Sequence, residues 1–312
     1  MTARASVGRG RRLLARPVLP STVVRVGFLT HLLWDRYGPF WTTLTLAAGS
    51  EVVLPEPDEV VARLADPRVA VAPTVAFRLA VAAALALEDV DLLVAPSLNP
   101  DDGATRGAAQ DPWVAELPTM LARSVPGLPP VWALPADLGR PVESEAIPFL
   151  RRLTPDVGAV RRAWSQHRAE AHPPRRRRRG LPPAPAGATT IAVLGQPWWA
   201  TPAVAALVAD TSEHAVGPYV YDPTDLRAEA RRVDPALVDT DAEALGGLRR
   251  FARAGAVGAL RWVVDGASGS DLWLSRRAQS IAGARVELLP LRDLADRERT
   301  FRALLHPGGA PP

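Results

Sequence analysis

The sequence contains no cysteine. This absence excludes disulfide bonds, thiolate nucleophiles, thiolate zinc sites and iron–sulfur clusters held by cysteine. Lysine is also missing, so all 37 basic residues are arginine, and asparagine occurs once, at Asn99. The five histidines are scattered without metal-ligand spacing. We therefore expect no metal site and no cofactor of these kinds.

The sequence also lacks a long apolar run. None approaches the roughly 18 residues that a membrane-spanning helix needs. The arginine-rich start continues into Pro17 and Pro20 rather than into the apolar core of a secretory signal. We therefore predict a cytoplasmic protein without membrane contact, whose residues 1–21 form a basic disordered arm.

The charge is concentrated rather than spread along the chain. The 312 residues carry a formal net charge of +4, but the basic excess lies in the amino-terminal arm and in Arg175–Arg179. No aromatic residues interleave with the second cluster, so it does not favour nucleic-acid binding. A basic adaptor for acidic partners stays open as an alternative function.

The pattern of apolar segments predicts an α/β fold with two Rossmann-like parallel-sheet domains, joined by helices and a Pro/Arg-rich linker. Apolar runs such as RVAVA (68–72) and DLLVA (91–95) are predicted as strands covered on both faces. The predicted amino-terminal domain, with its trailing helices, covers 22–171, the linker 172–188 and the carboxy-terminal domain 189–308.

Open parallel sheets bind ligands beyond the carboxyl ends of their strands. The default site is therefore formed by the loops 30–39, 96–103, 195–201 and 265–271, in the cleft between the domains. The amides of the last loop are able to form an anion-binding nest, although ordinary turn and capping chemistry explains the same residues. The candidate ligand-binding residues are Thr30, Trp34, Ser97, Asn99, Gln196, Trp198, Ser268 and Ser270.

A second hypothesis is a cofactor-independent enzyme. His31 lies in the loop after the first predicted strand, close in sequence to Asp35 and Arg36. A histidine beside a carboxylate is able to transfer protons, and an arginine binds anions. A purely structural hydrogen bond is the favoured explanation of His31, so the three residues are weak catalytic candidates.

The segment Gly38-Pro39-Phe40-Trp41, after the strand VVRVGFL, resembles the opening motif of the 2-hydroxyacyl-CoA dehydratase and acyl-CoA dehydratase activase-related family. The turn Gly195-Gln196-Pro197 is similar to that family's Gly-Arg-Pro-Tyr turn. Members hold an iron–sulfur cluster with cysteines, but this chain has Val71-Ala72-Pro73 and Pro96-Ser97 at the matching places. The resemblance implies a cluster-free relative that binds a small anionic or acyl-CoA-like ligand, or acts as a partner subunit.

Overall fold

The computed structural model describes residues 23–99, 111–138, 142–172, 181–293 and 302. Within them lie two four-stranded sheets, and every strand pairing is parallel. The predicted α/β fold with two parallel sheets is therefore confirmed. No helix in the described ranges is long and apolar enough to cross a membrane.

The first sheet has the order β2-β1-β3-β4. Its third strand, LLVAPS, is buried over five of its six residues, because helices cover both faces of a parallel sheet. The elements of this half are β1 (Arg25–Phe28), α1 (Trp34–Ala47), β2 (Glu51–Val53), α2 (Pro57–Arg63), α3 (Val75–Ala86), β3 (Leu92–Ser97), α4 (Pro112–Ser124) and β4 (Val131–Pro135).

The strand predicted at RVAVA (68–72) is wrong. Residues Pro67–Val71 form a short 3₁₀ helix, because Pro67 starts it and the Asp66 carboxylate accepts a bond from the backbone N–H of Arg68 at 2.8 Å. Val71 is 54% exposed, which does not suit a strand inside a covered sheet. The segment connects α2 to α3 outside the sheet.

The loop predicted over 30–39 is also shorter than expected. Leu33 adopts a left-handed conformation with φ of 62°, and α1 begins at Trp34 and continues through Pro39. Proline removes one helical hydrogen bond. Burial of Tyr37, Phe40, Trp41 and Leu44 along one side of α1 outweighs that loss.

Two helices follow the first sheet, α5 (Glu143–Leu153) and α6 (Val157–His167). Both pack against α1, the first helix of the first half. Of the predicted linker, residues 173–180, which include Arg175–Arg179, lie outside the described residues. Residues 181–188 contain no helix or strand.

The second sheet has the order β6-β5-β7-β8, which repeats the order of the first. Its elements are β5 (Thr189–Leu194), α7 (Pro202–Val208), β6 (Glu213–Val216), α8 (Pro223–Arg231), α9 (Asp239–Arg253), β7 (Ala259–Val264), α10 (Gly269–Ala282) and β8 (Val286–Pro290). Residues 1–22, which include the predicted basic arm, and residues 294–301 and 303–312 lie outside the described residues.

The apolar core is continuous between the halves. One cluster of buried side chains combines the first-half core with Ile191, Val193 and Val263 from one face of the second sheet. The alternate residues Ala192, Leu194 and others face a second cluster under α8, α9 and α10. This division follows the two-residue period of a strand, and it joins the halves through shared apolar packing.

Candidate functional site

The carboxyl ends of the two sheets meet each other. In each sheet the strand order reverses between the first and third strands of the half, which is where open α/β sheets bind ligands. The Asp265 carboxylate, after β7, accepts a hydrogen bond of 2.6 Å from the backbone N–H of Val75 at the start of α3. The two expected ligand-binding edges therefore form one junction, which we call the interdomain junction.

Asn99 bridges the halves at this junction. Its side-chain oxygen accepts from the backbone N–H of Thr240 at 3.0 Å, and its side-chain nitrogen donates to the Thr240 hydroxyl at 3.1 Å. Asn99 is 8% exposed. The predicted ligand residue thus binds the other half of the chain directly.

The predicted anion nest after β7 holds a carboxylate of the chain itself. Asp111 accepts bonds from the Ser268 hydroxyl at 2.5 Å and from the backbone N–H groups of Gly269 and Ser270 at 3.1 and 3.2 Å. Ser268 also caps α10, since its hydroxyl accepts from the backbone N–H of Asp271 at 3.0 Å. Capping and anion binding therefore occur together, with Asp111 as the anion.

Asp271 is fully enclosed beside this nest. One carboxylate oxygen, Oδ2, accepts from the Trp199 indole N–H and from the backbone N–H of Asp265, both at 2.9 Å. The other oxygen, Oδ1, has no hydrogen-bond partner. Burial, with smaller contributions from the charges of Asp265 and Asp111, raises the pKa of Asp271 to about 8.

Asp241 and Gln196 form a second buried polar pair. The Gln196 amide nitrogen donates to Asp241 Oδ1 at 2.9 Å, while Gln196 Oε1 and Asp241 Oδ2 have no partner. Burial raises the pKa of Asp241 to about 7, and the charge of Asp111 adds to the effect. Gly195 precedes Gln196 with φ of 144°, and a Cβ there would lie 2.8 Å from the Val263 carbonyl oxygen. Glycine is therefore needed to place Gln196 at the junction.

Aromatic rings close one side of the junction. The ring of Trp198 lies 5.3 Å from that of Trp113, which stacks on Phe77 with ring centroids 5.9 Å apart. Trp34 instead contacts Phe28 and Tyr37 within the first half. Of the two tryptophans predicted to bind ligand, Trp198 lies at the junction, and Trp34 packs in the first-half core.

The structure separates the three weak catalytic candidates. His31 is 7% exposed, and neither ring nitrogen has a hydrogen-bond partner. Burial lowers the pKa of His31 to about 4, partly opposed by the backbone of Ala76, so the imidazole is neutral near pH 7. Asp35 is exposed on α1. Arg36 binds Glu243 of α9 through two contacts, one of them 2.8 Å long.

The two remaining ligand-binding candidates are Thr30, two residues after the end of β1, and Ser97, the last residue of β3. Thr30 is 3% exposed, and its hydroxyl has no partner. Ser97 is half-buried at the end of β3. Both residues lie at the carboxyl edge that was expected to bind ligand, and Thr30 adds an unsatisfied polar atom there.

An ionic network at the same edge was not anticipated from the sequence. Arg227 of α8 donates to Asp137, after β4, at 2.6 Å, and approaches Glu243 at 3.7 Å. Glu243 therefore lies between Arg36 and Arg227 and is 3% exposed. In the sequence, acidic residues at the start of α9 are already explained by the helix dipole, so nothing marked Glu243 or Asp241 as buried.

Asp111 was missed for a similar reason. It stands directly before Pro112 at the start of α4, where an aspartate is an ordinary capping residue. Only the packing of α10 beside Asp111 shows that its carboxylate accepts hydrogen bonds from the start of that helix. Within the described ranges, no group of three or more histidine, aspartate or glutamate side chains is arranged to hold a metal ion.

Comparison of the chain with protein-family models, with curated proteins and with solved structures found no match.

Proposed function

We propose that this protein binds a small ligand at the interdomain junction, and that it is a relative of the 2-hydroxyacyl-CoA dehydratase and activase-related proteins without their iron–sulfur cluster. The observation that supports ligand binding is a set of buried polar atoms without hydrogen-bond partners at the carboxyl ends of the two sheets. They are Thr30 Oγ1, both ring nitrogens of His31, Trp113 Nε1, Gln196 Oε1, Asp241 Oδ2 and Asp271 Oδ1.

Each unsatisfied atom is unfavourable for the empty protein. A buried donor or acceptor without a partner costs about 1–3 kcal/mol, and folded proteins contain few of them. A structural role alone does not account for several such atoms in one place. A ligand that bonds to them when the junction opens and closes again accounts for their position and their chemistry.

An anionic or acyl-CoA-like ligand remains the expectation from the family resemblance. The α10 amides that suit an anion are occupied by Asp111. An anionic group must therefore displace the Asp111 carboxylate to use this nest. Removal of the Asp111 charge by Asp111→Asn would then strengthen binding of such a ligand.

A partner-subunit role is the second candidate. It is supported by the apolar cluster that continues from the first half into Ile191, Val193 and Val263, and by the ion pairs of Glu243. These contacts oppose free hinge motion of the halves, because relative motion of domains is the default only where the interface is small or polar. On this view the protein acts as a scaffold of fixed shape.

Thermal denaturation with a panel of CoA thioesters, nucleotides, carboxylates and amines distinguishes the two candidates. A ligand that binds the native state raises the melting temperature with concentration. Binding at the junction should also slow hydrogen exchange of the residues around Gln196 and Ser268. If no compound shifts the melting temperature and the protein instead purifies with a stoichiometric second subunit, ligand binding is rejected in favour of the partner-subunit role.

A further inference from the structure

The interdomain junction contains an excess of buried acidic groups. Asp111, Asp241, Asp265 and Asp271 are between 0% and 8% exposed. Their bonds run to backbone N–H groups, hydroxyls, an indole and an amide, and in the described part of the chain no arginine or histidine pairs with any of the four. Burial opposes the charged form of Asp241 and Asp271, and a positive charge placed beside them would favour that form.

The nearby arginines are already paired with other carboxylates. Arg36 and Arg227 contact Glu243, and Arg227 also binds Asp137. Arg231 binds Asp239 at 2.6 Å. The described arginines that border the junction therefore neutralise a separate set of acidic groups and leave the four aspartates without a cation.

Besides the Thr30 hydroxyl, three carboxylate or amide oxygens of the junction have no hydrogen-bond partner among the described residues: Asp241 Oδ2, Asp271 Oδ1 and Gln196 Oε1. Gln196 is an independent observation, because it is neutral, 1% exposed and not one of the acidic residues. Its amide nitrogen is fixed on Asp241, which leaves the amide oxygen available beside that carboxylate. When the two aspartates are ionised, their free oxygens and the Gln196 amide oxygen all accept hydrogen bonds, so they suit the N–H donors of a ligand.

A single metal ion does not fit this arrangement. Within the described residues, no three acidic or histidine side chains come together as metal ligands. Asp241, at the start of α9, and Asp271, in the first turn of α10, each present one unpartnered oxygen from a different helix.

We propose that the ligand of the interdomain junction is a small organic cation with one or more ammonium groups. Its N–H groups donate hydrogen bonds to the side-chain oxygens of Asp241, Asp271 and Gln196. An ammonium supplies three N–H donors and a positive charge, so it satisfies the unpartnered oxygens and compensates the buried carboxylates together. This inference rests on the proposed ligand binding at the junction, and it replaces the anionic class that the family resemblance implies with a cationic one.

Isothermal titration calorimetry with three probes of equal chain length tests the inference. Putrescine carries two ammonium groups, 1,4-butanediol is its neutral counterpart, and succinate is its anionic counterpart. Putrescine should bind, while butanediol and succinate should not. Binding near neutral pH should also release protons from Asp241 and Asp271, with Asp111 and Asp265 as the charged neighbours, so the measured heat should depend on the ionisation enthalpy of the buffer.

Asp241→Asn and Asp271→Asn are the test variants, since each removes a charge with little change in shape. Each should weaken putrescine binding about tenfold or more, which corresponds to about 1.4 kcal/mol. Asp89→Asn is the control, because Asp89 is exposed before β3, at the opposite edge of the first sheet. It should bind putrescine like the wild type. Circular dichroism and the unfolding midpoint establish that each variant is folded.

The outcomes are distinct. Binding of succinate, but not of putrescine, overturns the cationic ligand and leaves ligand binding at the junction intact. If all variants bind putrescine equally, putrescine does not bind at the interdomain junction, and the inference is overturned. If an asparagine variant does not fold, Gln196→Leu replaces it as the test variant. Unchanged putrescine affinity of Gln196→Leu would also overturn the inference. Absence of binding by every probe rejects both the inference and the proposed function.

Discussion

Replacement of Asp271 by asparagine should change how the stability of this protein depends on pH. The Asp271 carboxyl is 2% exposed, and burial raises its pKa from 3.8 to about 8. Asparagine has nearly the same shape, and its amide oxygen is able to accept the bonds from Trp199 and Asp265. The variant therefore removes the titration while it keeps these contacts.

The sign follows from proton linkage. The folded state binds the Asp271 proton more tightly than the unfolded state does. The contribution of Asp271 to the free energy of unfolding is therefore greatest below about pH 4 and falls as the pH rises towards about 8. The raised pKa predicts a loss of about 1.5 kcal/mol between about pH 6.5 and about pH 8 from Asp271. Asp241, with a pKa of about 7, adds a loss of about 1 kcal/mol over the same interval.

Other shifted groups affect the wild type and the variant alike. The pKa of Asp66 is lowered to about 2, so its effect on stability appears at lower pH. The pKa of His31 is lowered from 6.5 to about 4, so stability rises as the unfolded-state histidine loses its proton, mainly below about pH 6.5 and slightly above it. Urea unfolding at steps from about pH 6.5 to about pH 8 measures the difference. The Asp271→Asn profile should be flatter than that of the wild type by about 1.5 kcal/mol, whereas Asp89→Asn should follow the wild type. Parallel profiles of Asp271→Asn and the wild type would refute the assignment of a protonated, buried Asp271.

Three further predictions follow from the junction and its supports. Glu243→Gln leaves Arg36 and Arg227 without their shared carboxylate and should lower the free energy of unfolding by about 2–4 kcal/mol in a urea titration. Its control is Glu51→Gln, in an exposed pair with Arg25, which should lower the same quantity by under about 1 kcal/mol. Gly246→Ala should destabilise the protein by several kcal/mol, because the added Cβ would overlap the Leu226 carbonyl of α8. The added Cβ of Gly255→Ala meets no atom, so this control should be tolerated. Equal melting temperatures of the two variants would contradict this packing. Protein purified without oxygen should be colourless and contain no iron or acid-labile sulfide, and stoichiometric iron would reject the cluster-free proposal.

Much of the fold was predictable from the sequence because it depends on local patterns. Uninterrupted apolar runs such as DLLVA predict covered parallel strands, and alternation with helical segments predicts the α/β class. The same order of elements predicts that the loops containing Asn99, Gln196 and Ser268 lie at the ligand-binding edge of the sheets. The helix of Pro67–Val71 and the early start of α1 were missed, because a proline cap and tertiary burial decide those segments.

The identity of the junction groups depended on the tertiary structure. The sequence marks Ser268 and Ser270 as a nest or a cap, but only the approach of α4 shows that Asp111 occupies it. Asp241 and Glu243 are ordinary acidic residues for the start of a helix, and they become buried only when the second sheet faces the first. Local sequence determines which elements form, whereas the burial and partners of a charge depend on residues distant in the chain, such as Gln196 for Asp241, Ser268 for Asp111 and Arg36 for Glu243, so only the packed chain decides them.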